Sequence, residues 1–308
     1  MLLTILTTKN PNLIYFKWLL ILAIIMSVFL IYKIFYITPY NTYEGFTQKE
    51  PFIIKNNEDA YDTFYLQLYE TLHDVFQRQD NELKHIIQTT NPCNKNSTIL
   101  DVGSGTGHAV SLLQEEGYNV FGIDKSQKMC EYAINYNENI EVLNDDVLKP
   151  MVFEKNSFTH ILCTYFTIYH FEDKRLFFRN CYFWMKPGGY LVVHLVDKNK
   201  FSNIIPHHLA RSWRTHPEYN HISLKTKAIF NDFEYTGCFA MYENSAGTTF
   251  TETMTDLETK HIRQNEFDLY IEDMETICEC AKQCGFIFHA KTDMKQMNND
   301  ENQYLYYF

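Results

Sequence analysis

From Thr98 to Val196 short apolar runs alternate with amphipathic stretches, and that alternation limits the fold more than any other feature. Thr98–Val102, Asn119–Ile123, Ile140–Leu143, Phe158–Cys163 and Tyr190–Val196 read as strands. Between them lie a helix marked by Ala109, Leu112 and Leu113 that stops at Gly117, a second over 126–135 and a third over 172–185. Lys186-Pro187-Gly188-Gly189 reads as a sharp turn before the fifth strand. Strands separated by helices imply a mostly parallel sheet covered on both faces. Upstream, Tyr61, Phe64, Tyr65, Leu68 and Leu72 form one helical stripe, and Pro92 closes that region. Downstream, residues 226–256 alternate with period two, as antiparallel strands do. A helix over 270–284 with Gly285 as its cap, a strand at Phe286–Ala290 and a last strand at Gln303–Phe308 complete the α/β pattern. Residues 58–308 are therefore expected to be one α/β domain. It comprises helices at 58–92, a core at 97–196, a β-rich insertion at 197–267 and a closing helix and strands at 268–308.

The first strand ends in Asp101-Val102-Gly103-Ser104-Gly105-Thr106-Gly107. Glycines at a strand-to-helix turn let a ligand reach the backbone. A dinucleotide site would need Gly or Ala where His108 stands, and Asp101 would repel a pyrophosphate. The same carboxylate suits a ligand that carries an ammonium group. Asp124 closes the second strand about twenty residues further on, where an acid can accept both ribose hydroxyls.

This stretch resembles motif I of the class I S-adenosylmethionine-dependent methyltransferases. The similarity extends over about 97–196, including Trp184-Met185-Lys186-Pro187-Gly188-Gly189-Tyr190-Leu191 before the fifth strand, and resumes at 270–308. It implies a Rossmann-like sheet with helices on both faces, an antiparallel β insertion, and S-adenosyl-L-methionine as cofactor. It further implies cofactor-binding roles for Asp101, Gly103, Ser104, Gly105, Thr106 and Asp124. Asp145-Asp146 stands where the family has Gly-Asp, so Asp146 is the expected acid near the adenine, with Asp145 in the glycine position. Phe158-Thr159 stands where Phe-Asp is usual, a change expected to affect the sheet more than the cofactor. The resemblance also implies that Tyr65 closes over the cofactor as the family's lid tyrosine does, with ordinary packing of its helical stripe as the alternative.

Methyl transfer from a sulfonium needs alignment and exclusion of water, and a base only where the nucleophile starts protonated. In open α/β sheets the reacting groups gather at the carboxyl ends of the strands. Thr164, Tyr165, Tyr169 and His170 follow the fourth strand and His194 lies in the fifth; His170, Tyr169 and His194 are the candidate catalytic residues. The insertion carries His207, His208, Arg211, Arg214, Glu234, Glu243 and Glu252, a set that could cover a charged metabolite or a peptide. The acceptor is expected to be a small molecule, a lipid or a protein. No Asn/Asp-Pro-Pro-Tyr follows the fourth strand, and a net charge of -11 disfavours a nucleic-acid backbone as partner. A non-catalytic scaffold that uses the same fold to bind cofactor is the competing reading.

Leu13 to Tyr36 is apolar, with no charge between Trp18 and Tyr32 and with Lys17 and Lys33 flanking. As a helix it would span about 36 Å. Aromatic residues lie near its ends. An uncleaved single-pass transmembrane helix over 13–36 is expected, making the membrane a partner, with 37–57 as a linker. The lysine balance puts the catalytic domain in the cytosol. Eight cysteines in a chain of 308 residues are no disulfide framework and agree with a reducing compartment. On one helix Cys280 and Cys284 share a flank while Cys278 points elsewhere, poor geometry for a tetrahedral site, so no metal is expected.

Overall fold

The computed structural model describes residues 14–32, 50–201, 212–217, 223–241, 246–298 and 300–308. Two units divide the chain, one ending at Gly45 and the other beginning at Phe46. In the first, α1 (Ile14–Tyr32) is 19 residues long. Among the described residues no helix is long and apolar enough to cross a membrane. The expected span over 13–36 is therefore not supported by the described residues. Lys17 lies inside the helix, and the uncharged stretch from Trp18 to Tyr32 covers only about 22 Å of a hydrocarbon core about 30 Å thick. Residues 33–49 of the expected span and linker lie outside the described residues.

The second unit is built on two sheets. Its elements are β1 (Phe52–Asn56), α2 (Thr63–His73), α3 (Val75–Thr90), β2 (Thr98–Val102), α4 (His108–Glu115), β3 (Asn119–Asp124), α5 (Gln127–Tyr136), β4 (Val142–Asn144), β5 (Phe158–Cys163), α6 (Lys174–Trp184) and β6 (Met185–Val196). They continue with β7 (Ser212–Pro217), β8 (Ser223–Ile229), β9 (Phe233–Met241), β10 (Gly247–Asp256), β11 (Ile262–Tyr270), α7 (Met274–Gln283), β12 (Ala290–Asp293), α8 (Lys295–Asn298) and β13 (Gln303–Tyr307).

The larger sheet has seven strands in the order β12-β13-β6-β5-β2-β3-β4. Strands β2 to β6 pair in parallel, and β13 and β12 add antiparallel at one edge. The chain leaves β2 towards β3 and later returns to β5 on its other side, so the strand order reverses between β2 and β5. A crevice opens outside the carboxyl ends of strands at such a point. Leu83 and Ile86 of α3 and Val110 and Leu113 of α4 pack with Ile99, Leu162, Val192 and Tyr307 in one core cluster. Phe177, Phe178, Cys181 and Trp184 of α6 are fully buried. The Lys186–Gly189 turn is drawn into β6 as an irregularity. Phe158 pairs with Met185, but His160, only two residues on, pairs with Tyr190. Thr159 Oγ1 donates to Thr98 O (3.0 Å) and accepts from Thr98 N (2.9 Å), tying β5 to the start of β2.

The second sheet has six strands in the order β1-β11-β10-β9-β8-β7. Its strands from β7 to β11 are antiparallel, as the period-two pattern predicts. Strand β1, inside the expected linker, pairs in parallel with β11 at its edge. The burial of β10 alternates strictly, so Thr248, Phe250, Glu252, Met254 and Asp256 share the inner face. Phe239 and Phe250 stack at 4.3 Å, and Phe239 meets Phe166 of the first sheet's loops at 6.2 Å.

Two expectations differ. The helical region 58–90 breaks at Asp74, whose φ of 48° ends α2 and starts α3. No strand forms at Phe286–His289; the final hairpin begins at Ala290. Phe286 packs on Phe178 and Tyr182, so its apolar character serves the α6 layer.

Candidate active site

The carboxyl ends of β2, β3, β4 and β5 open into a cavity of about 430 Å³. Asp101 does not itself line the cavity; it lies in β2 directly before the lining residues Val102 and Gly103 and is 2% exposed. Among the described residues, its Oδ2 has no hydrogen-bond partner. Burial, and then the neighbouring Asp124 carboxylate, push its pKa up to about 7. Such an orphaned buried oxygen is costly alone, and a ligand ammonium would satisfy it. Gly103 follows with φ of 69°, and a Cβ there would lie 2.5 Å from the Thr167 side chain. No other residue type fits that turn without displacing the loop after β5.

Asp124 ends β3 and is fixed by two backbone donors, Gly105 N at 2.9 Å and Ser126 N at 2.8 Å. Burial raises its pKa against those two bonds. Each carboxylate oxygen keeps a second lone pair for a ligand hydroxyl. Asp145 and Asp146 both line the cavity beside β4. Asp145 is held low in pKa by the Lys149 ammonium 2.6 Å away. Asp146 Oδ1 accepts from Leu148 N at 2.9 Å, and Lys125 lies 3.8 Å from its other oxygen. Ser104 and Thr106 are buried beneath the turn. Ser104 packs on Gly122, and the Thr106 hydroxyl bonds Glu70 of α2.

The opposite wall is aromatic: Tyr61, Tyr65 and Tyr69 from around α2, with Phe250, Phe267 and Tyr270 from the second sheet. Tyr65 lines it, but its hydroxyl donates to Glu252 Oε2 and meets His73 Nε2 at 3.1 Å. The expected lid tyrosine thus aims its hydroxyl at the second sheet. His170 lines the cavity while remaining solvent-exposed, and desolvation lowers its pKa. Tyr169 and His194 do not reach the cavity, which corrects two of the three candidate catalytic residues. Tyr169 is fully buried, and its hydroxyl accepts from Val196 N at 2.8 Å. His194 is fully buried, and its Nδ1 accepts from Phe166 N at 3.0 Å. That bond holds a turn in which Tyr165 and Phe166 have φ of 44° and 48°.

Of the insertion residues, Glu252 reaches this region, while Glu234 pairs with Lys227 at 2.7 Å. His207, His208, Arg211 and Glu243 lie outside the described residues, as does the side chain of Arg214. Sequence reasoning missed His73 and Arg78, which line the cavity from the helices. Arg78 forms a two-pronged ion pair with Asp300 (2.6 and 3.2 Å), and its guanidinium lies 4.8 Å over the Tyr165 ring. Nothing local marks these two polar helical residues, because their partners are remote in sequence. Among the described residues, no three His, Cys, Asp or Glu side chains gather to hold a metal.

Residues 100–193 match the family described as methyltransferase domain. The chain is similar to glycine N-methyltransferase of Mus musculus, 31% identical over 113 residues, which is 31% of this chain and 39% of that protein. It is likewise similar to phosphoethanolamine N-methyltransferase of Plasmodium falciparum, 32% identical over 106 residues, covering 32% of this chain and 39% of the relative. The chain thus spans about two-fifths of the length of these curated relatives. The fold is that of the CcbJ methyltransferase from Streptomyces caelestis, with a TM-score of 0.56 over 82% of this chain and 98% of that one at 13% identity. The unpaired Asp101 oxygen, the Gly103 turn and the doubly fixed Asp124 fit the ammonium, backbone approach and ribose that the cofactor of this class requires. Residues 100–193 thus match a methyltransferase domain on a Rossmann-like fold, a family whose cofactor is S-adenosylmethionine.

Proposed function

We propose that this protein transfers a methyl group from S-adenosylmethionine to a small-molecule amine. The observation that carries this reading is the one cavity that joins the cofactor features to an aromatic, acid-bearing wall. Asp101 would hold the amino-acid end of the cofactor, with Gly103 and Gly105 beneath it. Asp124 would take the ribose, and Asp146 the adenine side. When bound, the cofactor supplies an activated methyl group on a sulfonium, so the protein's task is to align the acceptor and exclude water.

The acceptor side suits a cation. Tyrosine and phenylalanine faces attract ammonium groups, and Glu58 and Asp268 at the rim add negative charge. The two named relatives both act on nitrogen, by their names. His170 offers an imidazole hydrogen-bonding group to the acceptor. The eight free cysteines support a reducing, cytosolic setting.

The test is transfer of labelled methyl from S-adenosylmethionine to a panel of glycine, phosphoethanolamine, ethanolamine, an amino sugar and a catechol. Label on an amine supports the reading. Transfer to the catechol alone overturns the amine assignment, and cofactor binding with no transfer to any member favours the scaffold.

A further inference from the structure

Strand parity puts Glu252 on the inner face of β10 between Phe250 and Met254, where an apolar residue would be usual. It is fully buried. It accepts from three donors: Tyr65 Oη, Tyr235 Oη at 2.6 Å and Asn265 Nδ2 at 3.5 Å. A carboxylate surrounded by donors acts only as an acceptor, and that fixes the direction of every bond behind it. Tyr65 spends its proton on Glu252, so its oxygen accepts from His73 Nε2–H at 3.1 Å. With Nε2 protonated and the imidazole neutral, Nδ1 is an acceptor and takes the Tyr165 proton at 2.6 Å. Tyr165 lines the cavity and is half-buried.

The geometry points to a proton relay, Tyr165–His73–Tyr65–Glu252, that takes a proton from an ammonium acceptor bound in the cavity. This rests on the amine reading above. The bound ammonium gives a proton to Tyr165 Oη. Tyr165 gives its own to His73 Nδ1, His73 gives its Nε2 proton to Tyr65, and Tyr65 gives its proton to Glu252. A neutral amine and a carboxylic acid replace an ammonium and a carboxylate, and every bond in the chain reverses. After the product leaves, the chain runs backwards and the proton passes to water in the cavity. No group has to move, because each member already donates on one side and accepts on the other.

The electrostatics agree. Burial, and next the Arg78 charge, push the His73 pKa down to about 3, so the ring is neutral. Burial raises the pKa of Glu252 above the ordinary carboxylate value, making it a better proton acceptor than an exposed acid. The other charged groups facing the chain are Arg78 over the Tyr165 ring, Asp300 and Glu82 against Arg78, and Arg263, which reaches Glu252 through Asn265. Tyr61, Tyr69 and Tyr235 are the neighbouring phenols.

The test begins with nitrogen-15 NMR of the histidine rings in the full chain. His73 is expected as the neutral Nε2–H tautomer in the wild type, and as a tautomer mixture in Glu252→Gln. An Nδ1–H tautomer or an imidazolium at pH 7 overturns the relay, whether or not any acceptor is methylated. The second measurement is the pH profile of methyl transfer to the amine the wild type uses. Tyr165→Phe and Glu252→Gln should each lower the rate about 10²-fold near pH 7. They should move its acidic limb towards the pKa of the free amine, and Glu252→Asp should restore part of the rate. An unchanged limb in Tyr165→Phe, with the variant folded, overturns it. Absence of S-adenosylhomocysteine binding in calorimetry would defeat the amine methyltransferase reading, and the tautomer would still decide the relay.

Discussion

Asp101 is where the fold carries a cost for its ligand. A buried carboxyl without a partner is tolerable when neutral and unfavourable when charged. Its pKa in the folded protein, about 7, lies above the model-peptide value of 3.8. The folded state therefore binds the proton more tightly than the unfolded chain, and stability falls as pH rises through the window between those values. Glu82, pushed up to about 8 by burial, adds a slope of the same sign. Asp101→Asn should raise the stability of the ligand-free protein at pH 8 by about 1–3 kcal/mol in urea unfolding. The same variant should weaken S-adenosylhomocysteine binding at least about tenfold, since a charged partner of an ammonium is lost. In the wild type, binding at pH 6 should release a proton, read as a dependence of calorimetric heat on the buffer's ionisation enthalpy.

At the scale of single elements, the helices α2 and α3 are held over the sheet by charge as much as by packing. Arg78 joins α3 to Asp300 before β13, with Glu82 one turn away at 3.8 Å. Arg78→Ala leaves two buried carboxyls without their cation and should cost about 3–5 kcal/mol in the same unfolding assay. Asp300→Asn, which keeps the shape and a hydrogen bond, should cost less; equal losses would mean that packing of the Arg78 stem dominates. Gly103→Ala should abolish cofactor binding, because its Cβ meets Thr167 at 2.5 Å and φ is 69°. Thermal-shift measurement with S-adenosylhomocysteine reads this, a retained shift being the contrary result.

These elements were unequally legible in the sequence. Strand β2 was readable to the residue because a central parallel strand is an apolar run ended by a glycine turn. Strand β1 was not, since Phe52–Asn56 sits in a polar segment and becomes a strand only by pairing with β11, more than two hundred residues away. His194 misled because β6 is buried on both faces, so parity carries no signal about which side chain meets the cavity. Asp101 and Asp124 were legible as candidates because strand ends fix their positions. His73 was not, since only the folded chain brings it to Tyr165, 92 residues away.

At the scale of the whole second unit, a methyltransferase sheet and an antiparallel sheet meet across the cavity. Arg263 of β11 joins them at the chain's entry to α2, with Nη1 on Asp62 Oδ2 at 2.8 Å and Nη2 on Ala60 O at 2.9 Å. Arg263→Ala should speed hydrogen exchange at Tyr61–Leu66 while leaving β2 and β3 protected. A uniform rise across the unit would show instead that the two sheets unfold together. The account as a whole rests on the cavity at the carboxyl ends of β2 and β3 being a cofactor site. Calorimetric titration of the full chain with S-adenosylhomocysteine, beside Asp124→Ala, tests that most directly. One-to-one binding that the variant loses is the result expected; no binding by the folded wild type, or equal binding by both proteins, would contradict it.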